Sequence, residues 1–107
     1  YIPAEHPQRP ELIKMINGLA ETLPKYQDKT GLWYQVLDKG AVGGNYLEAS
    51  VSSMFMCGYA KAVNKGYIDK KYRTVAEKAY NGLMKRLRRT SLSRWKFRVL
   101  CKRTHPR

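Results

Sequence analysis

Hydrophobic residues recur at helical spacing in three segments of the chain. In the first, residues 10–23, the steps between them are three and four residues long: Leu12, Ile16, Leu19 and Leu23. This spacing predicts an amphipathic helix. The second segment, about residues 47–65, carries small and large apolar residues around most of its circumference, with Asn45 or Tyr46 expected at its N-cap. The third, residues 70–84, has one apolar stripe. We therefore predict three helices.

Between the first two helices the pattern changes from helical spacing to alternation. Residues 31–38 are expected to be extended, with Trp33 and Gln35 on the same face. The next residues, 39–45, include three glycines, whose backbone freedom suits a tight loop. This connection predicts the edge of a pocket, although its residues alone do not define a chemistry.

Composition indicates one small domain with a modest core, since the chain has 107 residues of which 43% are hydrophobic. No apolar run reaches the length of a membrane span, so no membrane contact is predicted. The chain starts without a secretory signal, which favours a cytoplasmic location. It also starts without methionine, so we expect a processed, trimmed or cloned boundary there. Cys57 and Cys101 lack metal-type spacing, and Cys57 is predicted to be buried in a helix.

The net charge of +13 is concentrated at the C-terminal end of the chain. Residues 1–84 contain eleven Lys or Arg and all eight acidic residues, whereas residues 85–107 contain ten basic residues and no acid. The tail, with Trp95 and Phe97, is open to two interpretations. It is a frameshifted or non-native end, or it makes the protein a small helical nucleic-acid-binding module that contacts phosphates and stacks on bases. Nearly balanced charge over residues 1–84 favours the first, with only weak, salt-sensitive nucleic-acid binding.

Three stretches together resemble glycoside hydrolase family 105, the unsaturated rhamnogalacturonyl hydrolases, and the related family 88 unsaturated glucuronyl hydrolases. They are RPELIKMINGLAETLPKYQDKTGLWYQVLDKG, NYLEASVSSMFMCGYAKAVNKGYID and YRTVAEKAYNGLMK. The combination of GLWYQV with LEAS-x-S-x-MF is the specific part of this resemblance. It implies an all-α fold, with residues 1–84 forming three to four helices and one short extended segment of an (α/α)6 barrel, followed by the basic tail 85–107.

The resemblance also implies an activity. Enzymes of these families remove an unsaturated uronic acid from the non-reducing end of pectin-derived oligosaccharides by hydrating its C4–C5 double bond. An aspartic acid acts as the general acid and base, and no metal or other cofactor is used. That aspartate lies upstream of the matched region in the family, so we expect the 107-residue chain alone to be inactive.

The substrate-binding residues that we predict are Trp33, Gln35 and Glu48. Trp33 would serve as an aromatic platform for an unsaturated oligosaccharide, with the Gln35 amide beside it and the Glu48 carboxylate bonding a sugar hydroxyl. The alternative for Trp33 is packing between helices, and for Gln35 capping of backbone groups. For Glu48 the alternative is a favourable position in the first helical turn. We also expect the chain to self-associate through apolar surface that a whole barrel would cover.

Overall fold

The computed structural model describes residues 2–40 and 42–89, which form three α-helices and a two-stranded antiparallel sheet. In chain order the elements are α1 (Arg9–Thr22), a 3-10 helix (Leu23–Tyr26), β1 (Trp33–Tyr34), β2 (Leu47–Glu48), α2 (Ala49–Asn64), a second 3-10 helix (Lys70–Tyr72) and α3 (Arg73–Arg89). None of the described helices combines the length and apolarity needed to cross a membrane. Most of the predicted basic tail, residues 90–107, lies outside the described residues.

Local sequence signals account for where the helices end. Pro24, in the first turn of the 3-10 helix, follows the end of α1. Gly66 ends α2 with a φ of 71°, while the N–H of Tyr67 donates to the carbonyl oxygen of Ala62 at 2.9 Å. This bonding satisfies carbonyl groups in the last turn of the helix. The carboxylate of Asp69 accepts from the N–H of Lys71 at 2.7 Å and caps the segment that leads into α3.

Several boundaries differ from the prediction. Of the extended segment expected over residues 31–38, only Trp33–Tyr34 forms a strand, and residues 35–38 form bends and a turn. The helix α2 begins at Ala49 rather than near Leu47, because Leu47 and Glu48 pair with β1 in an extended conformation. Glu48 therefore occupies the N-cap position, for which the sequence predicts Asn45 or Tyr46. The helix α3 is described as far as Arg89, past its predicted end near residue 84. The division of the chain into residues 1–84 and 85–107 stays a prediction.

The core forms where α1, α2 and α3 enclose the start of β1. Trp33 lies at its centre with no exposed surface, and its ring meets that of Phe55 edge to face at a centroid distance of 5.2 Å. Small residues of α3, Ala76 and Ala79, belong to the same core. The hydroxyl of Tyr59 donates to the carbonyl oxygen of Ala20 at 2.9 Å and links α2 to α1.

Two glycines allow the turn before β1 to lie directly against α3. A Cβ at Gly31 would lie 2.2 Å from the carbonyl oxygen of Lys78, and one at Gly82 would lie 2.2 Å from that of Thr30. Gly31 also has a φ of +90°, a conformation that side chains disfavour. The close approach of backbone to backbone therefore depends on the absence of both side chains.

Part of the predicted apolar surface is left exposed on α1 and α2. Leu19 is 57% exposed and Met54 is 71% exposed, and both border an apolar groove of about 350 Å³ between the two helices. The prediction of a buried Cys57 is wrong, since its side chain is exposed. Cys57 borders an open groove between α2 and α3, which the described residues do not cover.

We expect this groove to cause concentration-dependent self-association of the chain, because clustered exposed apolar side chains favour burial in a contact. Met54→Lys should weaken the association, since it places a charge at the groove. Met15→Lys is the matched control, because Met15 is similarly exposed but does not line the groove. Sedimentation velocity over a range of concentrations provides the measurement. A wild-type chain that stays monomeric throughout would contradict the prediction.

Burial of the Tyr59 phenol predicts a loss of stability at alkaline pH. Burial, with the nearby Tyr72 as a smaller cause, raises the pKa of Tyr59 to about 12, whereas an unperturbed tyrosine has a pKa near 10. The folded state therefore favours the neutral phenol. This contribution to the free energy of unfolding is fully present below about pH 10 and is lost as the pH rises toward about 12.

Urea unfolding measured across that pH range tests the prediction. Tyr59→Phe should flatten the alkaline loss of stability relative to the wild type, whereas Tyr46→Phe should not, because the Tyr46 side chain is 50% exposed. Equal pH dependence in Tyr59→Phe and the wild type would show that this phenol does not contribute.

Candidate functional site

The strand pair brings together GLWYQV and YLEAS, from the first two stretches of the resemblance. In its register Trp33 lies opposite Glu48, and Tyr34 lies opposite Leu47. One residue beyond β1, the N–H of Gln35 donates to the carbonyl oxygen of Tyr46 at 2.9 Å. At the usual rise of a strand, Gln35 lies about 7 Å along the chain from Trp33. The three residues predicted to bind substrate therefore lie on one short two-stranded ribbon, formed by residues 33–35 and 46–48.

A buried serine joins this ribbon to α2. The Oγ of Ser52 accepts from the N–H of Trp33 at 2.9 Å and donates to the carbonyl oxygen of Glu48 at 2.6 Å. Trp33 is held at its other end by its indole Nε1–H, which donates to the carbonyl oxygen of Leu23 at 2.8 Å. The start of β1 is thereby fixed relative to α2 and to the 3-10 helix that follows α1.

The three predicted residues differ in accessibility. The Trp33 ring has no exposed surface, so the structure shows the packing alternative for this side chain rather than an open platform. Gln35 is exposed, and Glu48 is partly buried. One carboxylate oxygen of Glu48 accepts from the hydroxyl of Ser50 at 2.5 Å. The accessible polar groups of the ribbon are thus the Gln35 amide and the Glu48 carboxylate, and their role in binding substrate remains a prediction.

Asn45 closes the loop between the strands, a role that the sequence did not reveal. Its Oδ1 accepts from the N–H groups of Val36 and Tyr46, both at 3.1 Å. Its Nδ2 donates to the carbonyl oxygens of Val36 and Lys39, at 3.0 and 2.7 Å. One side chain therefore replaces the strand bonds that the loop lacks. An asparagine directly after a Gly-Gly pair was the available signal.

The turn that leads into the ribbon is held by two further side chains. The Oδ2 of Asp28 accepts from the N–H of Thr30 at 2.8 Å, and this backbone hydrogen bond lowers the pKa of Asp28. The amide of Gln27 donates to the carbonyl oxygens of Gly31 and Val75, which links the turn to α3. Within residues 2–40 and 42–89, no group of three or more His, Cys, Asp and Glu side chains is placed to hold a metal ion.

Comparison with known families shows the family to which the chain belongs. The sequence profile described as Glycosyl Hydrolase Family 88 matches residues 1–93. The match covers most of the chain, which therefore belongs to this family.

Two solved structures share the fold at substantial sequence identity. A family 105 glycoside hydrolase from C. acetobutylicum ATCC 824 is 44% identical, with a TM-score of 0.74 over 78% of this chain and 24% of its own. A possible family 105 member from Salmonella enterica subsp. enterica serovar Paratyphi A is 38% identical, with a TM-score of 0.72 over 80% of this chain and 22% of its own. The predicted all-α segment of an (α/α)6 barrel is confirmed, with two short strands in place of one extended segment.

Two curated proteins also match part of the chain. Protein Atu3128 from Agrobacterium fabrum and a 24.9 kDa protein in the picA locus of Rhizobium radiobacter are each 43% identical over 42 residues. This stretch is 39% of the chain and 18% of either protein. The chain thus spans less than a quarter of the length of each of these relatives and solved structures.

Proposed function

We propose that the chain forms part of a glycoside hydrolase acting on pectin-derived rhamnogalacturonan oligosaccharides. In this proposal the enzyme hydrates the C4–C5 double bond of an unsaturated uronic acid at the non-reducing end, and the product then releases the neighbouring sugar. The observation that carries the proposal is the strand pair of GLWYQV with YLEAS in a chain of family 88 that is 44% identical to a family 105 enzyme.

The exposed end of the ribbon supplies groups suited to sugar hydroxyls. The Gln35 amide offers both donors and an acceptor, and the Glu48 carboxylate accepts hydrogen bonds. Because Ser50 bonds one oxygen of that carboxylate, its orientation is partly fixed before a ligand binds. Trp33, buried in the core against Phe55, anchors the start of the ribbon and need not contact the sugar.

The experiment is an NMR titration of the 107-residue chain with unsaturated galacturonyl-rhamnose disaccharide, and with unsaturated glucuronyl disaccharide for comparison. We expect the first sugar to shift the signals of Gln35 and Glu48, and Gln35→Ala and Glu48→Gln to weaken its binding. Asp38→Asn is the matched control, because Asp38 is an exposed acid in the loop that connects β1 to β2. Preference for the glucuronyl sugar, or equal weakening by the control, would contradict the proposal.

The same samples test our expectation that this chain binds without catalysing. Loss of absorbance from the unsaturated uronate reports turnover. Turnover that is abolished by a point substitution within residues 1–84 would show that the general acid lies in this chain after all.

A further inference from the structure

Ser52 is the one polar side chain that lies fully inside the core of the described residues. Many helical serines return a hydrogen bond to the carbonyl four residues earlier, and Ser52 does so toward Glu48. Its second bond distinguishes it, because the same oxygen accepts from the N–H of Trp33 on the neighbouring strand. One hydroxyl therefore contacts the two residues that face each other across the ribbon.

We propose that Ser52 is a positioning residue that holds Gln35 and Glu48 at a fixed spacing for the sugar; this rests on the proposed function above. Trp33 and Glu48 are cross-strand partners, so a group bonded to both fixes the register of the pair. A slip by one residue would turn every following side chain to the opposite face. Each strand has only two residues, so few backbone hydrogen bonds resist such a slip. The two hydrogen bonds of the buried Ser52 hydroxyl therefore make up a large share of what holds the register.

The chain provides a matched control in the next residue. The Oγ of Ser53 donates to the carbonyl oxygen of Ala49 at 2.7 Å, the same kind of bond within the helix. Ser52 differs from Ser53 in that its hydroxyl also accepts from the N–H of Trp33 on the strand. Comparing Ser52→Ala with Ser53→Ala therefore separates the bond to the strand from the loss of a helical serine.

The first measurement is amide hydrogen exchange of the 107-residue chain, followed by NMR. Ser52→Ala leaves the N–H of Trp33 buried without its acceptor, so the N–H of Gln35 should exchange about tenfold faster than in Ser53→Ala. The N–H of Val63, near the other end of α2, should respond equally in the two variants. Equal exchange at Gln35 in both variants would overturn the proposal.

The second measurement is the affinity for unsaturated galacturonyl-rhamnose disaccharide. We expect Ser52→Ala to weaken binding by about tenfold more than Ser53→Ala, and Ser52→Thr, which keeps the hydroxyl, to restore most of it. If Ser52→Ala unfolds, with exchange at Val63 also lost, Ser52→Thr decides the question: wild-type protection at Gln35 together with wild-type affinity supports the proposal.

The remaining outcomes are distinct. Faster exchange at Gln35 without a difference in affinity between the two alanine variants would overturn the proposal. It would mean that the register of the ribbon does not affect sugar binding. A wild-type chain that binds no disaccharide would contradict the proposed function instead, and the exchange comparison would still decide whether Ser52 holds the register.

Discussion

Trp33→Ala is expected to lower the free energy of unfolding by about 3–5 kcal/mol, or to abolish cooperative unfolding altogether. The ring has no exposed surface and meets Phe55 edge to face, so its removal leaves a cavity at the centre of the three helices. The substitution also removes the indole donor to the carbonyl oxygen of Leu23. Urea unfolding followed by circular dichroism provides the measurement.

Trp33→Phe separates the two contributions. It keeps an aromatic ring in the core but removes the Nε1–H, so the loss should be smaller, about 1–3 kcal/mol. A change of less than about 1 kcal/mol in Trp33→Ala would mean that the ring is not packed as described, and would return the open sugar platform to consideration.

Gly82→Ala is expected to cost about 3 kcal/mol or more, although alanine is the better helix former. The new Cβ would lie 2.2 Å from the carbonyl oxygen of Thr30, which is backbone and cannot rotate away. The turn before β1 would then have to move off α3, taking the start of the ribbon with it.

Gly18→Ala is the matched control, because Gly18 also lies within a helix but has no atom within 4 Å of an added Cβ. There the substitution should stabilise the chain by about 0.5–1 kcal/mol. Thermal or urea unfolding of both variants gives the comparison. Equal stabilisation by the two substitutions would show that the turn does not approach α3 as closely as described.

The helices could be predicted because their signals are local. Pro24 and Gly66 end helices through their own backbone conformations, and the apolar stripe of α3 depends only on residue spacing. The strand pair could not be predicted, since Leu47 and Glu48 become extended only through partners more than ten residues away. Residues 31–38 show alternation, but the two-residue strand Leu47–Glu48 is too short to do so.

The candidate site was predicted only in part, because accessibility, like strand pairing, depends on residues distant in the sequence. Trp33, Gln35 and Glu48 were expected near one another, and the ribbon does carry all three. Their accessibility was not predictable, because the burial of Trp33 depends on Phe55 and Leu23 from other elements. Likewise, the exposure of Cys57 depends on which face of α2 its neighbours cover, and apolar spacing does not specify that choice.

The bonds of Asn45 also determine where the chain can be lengthened. They close the base of the loop from Val36 to Tyr46, while an added Cβ at Gly43 or Gly44 would have no atom within 4 Å. Lengthening a flexible loop that is already closed costs little entropy, about 0.6 kcal/mol for each doubling. A short inserted tag between Gly43 and Gly44 should therefore leave the helices and the ribbon unchanged, which makes this tip a suitable attachment point for a reporter group.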